Sequence, residues 1–181
     1  MLSIITVGRA DNHTGNFVDR LLYTAEFNAR ALKDAGIKHQ FIFVEWNSPR
    51  EALGTVARKY TDAIPNSIAY VVDPGWHNFV CDNPNMVIME FFAKNVGLRR
   101  CETPVAVCVN ADILFGNDTI KLMGMWRKCE NNVMYRTLSR KDIKSDRTYT
   151  HPNELDDPSR VPSDRPGAAS RCQSSTPALG H

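Results

Sequence analysis

The sequence predicts an α/β domain, a three-layer α/β/α arrangement around a mostly parallel sheet. Four short runs, "LSIITV", "HQFIFVEW", "SIAYVV" and "PVAVCV", are almost continuously apolar and rich in β-branched residues, as strands buried on both faces are. Segments of helical period separate them. Strands that alternate with helices are joined by crossovers, which is how parallel sheets are built.

The first strand, residues 2–7, is stopped by Gly8. Val18, Leu21, Leu22, Ala25, Ala29 and Leu32 then recur at three- and four-residue spacing until Gly36, which marks one amphipathic helix and its glycine terminus. After the second strand, residues 39–46, the run Ser48-Pro49-Arg50-Glu51 has the form of a capping box with proline at the first helical position. It predicts a helix from about Pro49 to Lys59. The third strand, residues 67–72, leads into the polar and aromatic loop "DPGWHNFVCDNPN". Asn83-Pro84 predicts a longer helix ending near Arg100, with Met86, Met89 and Phe92 as its core stripe. Residues 104–109 form the fourth strand. Asn117 or Asp118 is placed to cap a helix through Trp126, and "NNVMYRT" offers a fifth strand.

With 181 residues and 43% hydrophobic content, the chain has material for one sizeable core. From Ser145 to His181 there are five of the ten prolines and no Phe, Trp, Ile or Met, too little apolar surface to offset ordering entropy. The expected organisation is one domain over residues 1–140 and a disordered or atypical tail over 141–181. So abrupt an onset is also what a chain cut short would show.

The formal charge of +2 comes from 22 basic and 20 acidic residues that are interspersed, so no basic stripe offers itself to nucleic acid. Five cysteines without a C-x-x-C pair argue against a disulfide framework or structural zinc, and point to a reducing, cytoplasmic setting. Cys108, inside an apolar run, is expected in the core. No segment has the length and apolarity of a signal region or a membrane span.

Ligands of parallel sheets bind beyond the carboxyl ends of the strands. The residues there are Gly8 to Asp11, Glu45 to Asn47, Asp73 to Asn78 and Asn110 to Asp112, and all four stretches are polar. There is no P-loop, no G-x-G-x-x-G, no H-E-x-x-H and no G-x-S-x-G, so the common nucleotide-hydrolase, dinucleotide, zinc and serine chemistries have no foothold. His77 reads as a loop residue, and Trp76 and Phe79 as packing. A carboxylate at Asp112 is a hard oxygen ligand suited to Mg²⁺ or Mn²⁺. Strict strand alternation would put Asn110 on the same side as Asp112. The competing reading is that both residues simply cap a turn.

Taken in order, "SIITVGR", "FIFVEWNSP", "FFAKNVGLRR" and "PVAVCVNADILF" resemble the nucleotide-sugar glycosyltransferases of the GT-A fold, especially the family 2-like branch, over roughly residues 2–137. The resemblance implies transfer of a sugar from a nucleoside diphosphate sugar to an unidentified acceptor, assisted by Mn²⁺ or Mg²⁺. It places Gly8 and Arg9 against the base, Glu45 at the base or ribose, and Lys94, Asn95 and Arg99 near the donor. Asp112 corresponds to the last carboxylate of the DxD motif, the metal ligand, while Asn110 stands where the first Asp is common. The catalytic base of that family lies downstream, where this chain enters its tail. A truncated donor-binding fragment is therefore the alternative. A sugar-1-phosphate nucleotidyltransferase ranks lower, because no glycine- and arginine-rich phosphate loop follows the first strand.

Overall fold

A computed structural model describes residues 1–11, 15–130, 133–136 and 170–172. The chain forms two compact units, Met1–Phe115 and Gly116–His181, divided earlier than the 140/141 boundary that composition suggests.

The first unit is an α/β domain with a four-stranded, all-parallel sheet. Its strands are β1 (Leu2–Gly8), β2 (His39–Trp46), β3 (Ser67–Val72) and β4 (Val105–Cys108), in the order β3-β2-β1-β4. The chain steps outward from β1 to β3, then returns to the other side of β1. β1 pairs with β2 from Leu2 opposite His39 to Gly8 opposite Glu45, and with β4 from Leu2 opposite Val105 to Ile5 opposite Cys108.

The two faces follow from alternation along β1 and β2. Ile4, Phe41 and Phe43 lie on the face covered by α1 (Phe17–Asp34) and α2 (Thr55–Ala63), where the Phe43 ring stacks on Tyr60 at 4.9 Å. Ile5, Val7, Ile42, Val44 and Trp46 lie on the other, beneath α3 (Pro74–Val80) and α4 (Glu90–Leu98). Gly97 lets α4 sit directly on the sheet: a Cβ there would come within 2.6 Å of Ile5 Cγ2. α1 ends as its sequence implies, with Gly36 at φ 68°.

Several elements depart from expectation, each for a visible reason. The helix expected from Pro49 is a 3₁₀ turn, Arg50–Ala52, followed by α2 only from Thr55, because Gly54 at φ 77° interrupts the path. The Ser48 hydroxyl does not cap this helix; it accepts the Ala10 N–H at 2.8 Å. The long helix expected from Pro84 starts only at Glu90. Upstream, the Val87 carbonyl is taken by two side chains, Arg9 Nη1 at 3.0 Å and Asn47 Nδ2 at 2.8 Å, so it is not left to a helical partner. The predicted core stripe holds only at Met89, which packs against the core beside buried Ala93 and Gly97, whereas Met86 and Phe92 are half-exposed. Cys108 is exposed as well, since β4 has only β1 beside it among the described residues.

The second unit contains α5 (Asn117–Gly124), capped at Gly116 rather than at Asn117 or Asp118, and a 3₁₀ turn, Trp126–Lys128. β5 (Met134–Arg136) pairs antiparallel with β6 (Ser170–Cys172) in a separate two-stranded sheet. β6 lies inside the segment expected to be disordered; the rest of that segment is outside the described residues. Among those residues, no helix is long and apolar enough to cross a membrane.

Candidate functional site

Strand order places the candidate site. In an open parallel sheet the crevice forms beyond the carboxyl ends of the strands where the order reverses, here between β1 and β4. Its floor is the chain leaving those two strands. The Val109 N–H donates to Ile5 O at 3.0 Å and the Thr6 hydroxyl to Val109 O at 3.4 Å, extending the β1/β4 contact past the end of β4. The chain then turns, with the Ile113 N–H on Asn110 O, and is held again where it leaves. Buried Asn28 of α1 donates through Nδ2 to Ile113 O at 2.9 Å and accepts the Phe115 N–H at 2.8 Å.

Because the strand has ended, alternation no longer applies, and Asn110 and Asp112 do not share a side. Asn110 Oδ1 accepts from Lys94 Nζ of α4 at 2.9 Å, while Asp112 Oδ2 lies 3.8 Å from Arg20 Nη1 of α1, a helix on the opposite face. Lys94 is also paired with Glu90 one turn back, and its side chain is only 16% exposed. Arg9, just past β1, holds Asp11 at 2.7 Å as well as the Val87 carbonyl. Three cations from three different elements thus border the carboxyl edge of β1 and β4, each with an acidic partner. Arg20 had no distinguishing signal in the sequence, since it reads as an ordinary polar position of α1.

The other sequence-derived residues fare differently. Glu45 is fully buried, and its two carboxylate oxygens accept the N–H groups of Gly54 and Ala57, each at 2.7 Å. These are the N-cap and third-residue donors of α2, so Glu45 does the job assigned by sequence to the capping box. α4 runs antiparallel to the strands, with Ala93 near Val7 and Trp46 and Gly97 over the mid-strand residues Ile5 and Ile42. Arg99, at the end of α4, therefore sits toward the amino edge of the sheet, away from Asn110. Asn95 is exposed and turned about 100° round the helix from Lys94. The space beside Gly8 is filled by the Phe17 ring, 2.4 Å from where a Cβ would stand. His77, expected in a loop, is buried in α3, where its Nδ1 accepts the Trp46 indole N–H at 2.9 Å; the imidazole proton is then on Nε2.

A divalent cation fits these side chains poorly. Among the described residues, no three His, Cys, Asp or Glu side chains come together. Asp112 is the one carboxylate on the turn and already faces Arg20. Mn²⁺ or Mg²⁺ binds oxygen at about 2.1 Å, and the Lys94 ammonium is already on Asn110 Oδ1. A metal ion that also took Asn110 Oδ1 would stand beside that ammonium, and two such cations ~4 Å apart would repel by ~8 kcal/mol at an effective dielectric constant of ~20. The turn that carries Asp112 is thus already flanked by cations of its own.

The fold defines an α/β protein whose strand-end edge, at the reversal of a parallel sheet, carries three cation–carboxylate pairs. No protein-family model matches the chain, and neither a curated protein nor a solved structure does.

Proposed function

We propose that the chain binds a nucleoside diphosphate sugar in the β1/β4 crevice and acts as a glycosyltransferase of the GT-A kind. The observation that carries this reading is the Lys94–Asn110 contact. It brings a cation from the helix before β4 onto the strand-end residue that the sequence resemblance associates with the diphosphate. Arg9 and Arg20 supply further positive charge from the β1 and α1 sides. Fixed cations at the place where a leaving diphosphate gathers charge are the main electrostatic requirement of glycosyl transfer.

The test is calorimetric titration with UDP, GDP, ADP, CDP and dTDP, followed by incubation with the sugar nucleotide of whichever binds. Selective binding with release of the nucleoside diphosphate supports the transferase. Absence of binding to all five, both with and without Mn²⁺ or Mg²⁺, refutes it.

A second reading, donor binding without transfer, is favoured by the state of the carboxylates. Asp11, Glu90 and Asp112 are each held by a cation, Asp73 caps α3 through the Gly75 N–H, and Glu45 is buried beneath α2. Among the described residues of the crevice, none is placed as a general base for an acceptor hydroxyl. Binding without turnover selects this reading.

A further inference from the structure

We infer that the donor's diphosphate is neutralised in this chain by the Lys94 ammonium and the Arg20 guanidinium, and that nucleotide binding needs no divalent ion. The inference rests on the donor reading above and specifies the chemistry of the same site.

Four observations support it. Asn110, unlike a carboxylate, is a neutral acceptor, and it spends its oxygen on Lys94 at 2.9 Å. Lys94 is held by Glu90 and Asn110 with little exposure, so its side-chain ordering is complete before a ligand arrives. An ammonium has three donors; two are used among the described residues, which leaves the third for a phosphate oxygen without breaking either contact. Asp112, half-exposed on the other side of the turn, lies 3.8 Å from Arg20 Nη1, so a metal bound to it would have to share it with a guanidinium. The turn 110–112 is thus flanked by one cation from each face of the sheet, and a diphosphate lying across it would meet both.

The experiment is titration of the full chain with the five nucleoside diphosphates, in EDTA and again with Mn²⁺ or Mg²⁺, on wild type, Lys94→Met, Lys94→Arg and Asp112→Asn. The expected result is binding in EDTA that the metals change by less than about threefold. Lys94→Met should weaken binding in EDTA by about tenfold or more, the size of one lost charged hydrogen bond, and Lys94→Arg should recover most of it. Asp112→Asn should tighten binding, because it removes a negative charge beside the anion; a metal-ligand Asp112 predicts the opposite sign. Should Lys94→Met fail to fold, Lys94→Arg and the direction of the Asp112→Asn effect still decide. Binding seen only with Mn²⁺ or Mg²⁺ and lost in Asp112→Asn overturns the inference while the donor reading stands. No binding under either condition removes the donor reading and the inference together.

Discussion

Removing the Glu45 carboxylate tests whether this residue holds the fold or the ligand. In Glu45→Ala the N–H groups of Gly54 and Ala57 lose the acceptor that each now has at 2.7 Å in a fully buried position. A hydrogen bond to a charged group contributes about 1.5–3 kcal/mol, and two sum to about 3–6. Release of the carboxylate's own desolvation cost offsets part of this, so a net loss of about 3–5 kcal/mol is expected. At about 2–4 °C per kcal/mol for a chain of this size, the melting temperature falls by roughly 6–20 °C. Glu45→Gln keeps the volume and one acceptor oxygen but turns its amide N–H₂ toward a backbone donor, and should lose about half as much. Thermal and urea denaturation followed by circular dichroism measures both, and titration with any nucleoside diphosphate that the wild type binds is done well below each midpoint. Melting of Glu45→Ala within about 2 °C of wild type would refute the capping argument. So would a Glu45→Gln chain that remains folded yet binds nucleotide tenfold more weakly, because the carboxylate would then be touching the ligand.

Other expectations concern packing, protonation and the turn. Gly97→Ala places a Cβ 2.6 Å from Ile5 Cγ2, so overpacking of about 1–3 kcal/mol outweighs the ~1 kcal/mol gained in helix propensity, and Gly97→Val costs more; urea midpoints that rise for Ala would contradict this. Burial raises the Tyr60 phenol well above its ordinary value. A raised acid stabilises the fold fully below the unfolded value of ~10, and the contribution is lost as pH climbs beyond it at ~1.4 kcal/mol per unit. Absorbance at alkaline pH should therefore show one tyrosine ionising only as the protein unfolds, and its titration alongside the others in a folded chain would contradict the burial. Asn28→Ala strips partners from Ile113 O and the Phe115 N–H at once, with an expected loss of ~2–4 kcal/mol and weaker nucleotide binding, measured by denaturation and calorimetry.

The parts of the fold legible in the sequence were those set by local pattern. The four parallel strands are apolar runs, α1 has a full amphipathic repeat, and Gly36 stands where its left-handed conformation ends the helix. What escaped were pairings between distant residues. Ser48 reads as a cap from its neighbours, yet its hydroxyl answers to Ala10 across two strands, and the cap of α2 comes from Glu45 in the preceding strand. Val87 looked helical until Arg9 and Asn47 are seen to share its carbonyl. The candidate site was half legible: the polar strand ends marked its place, and Lys94 and Asn110 meet there. Arg20 could not be anticipated, because only the return of β4 beside β1 brings the turn carrying Asp112 over α1. That Arg99 lies toward the amino edge was equally hidden, because the direction of α4 is a property of the crossover, not of its residues.

The clasp of Asn28 on Ile113 and Phe115 also bears on timing. With Val109 fixed to β1 at one end and Phe115 fixed to α1 at the other, the turn between them is a short span on two abutments. Immobilising a loop residue takes about 1–2 kcal/mol of backbone entropy. A span already fixed meets that cost once, during folding, and would ask nothing further of the diphosphate proposed to bind there. Capture should then be a single fast step without a loop-closing phase. A residue inserted between Asn110 and Asp112 would have no slack to absorb it, and would bow the span away from both flanking cations.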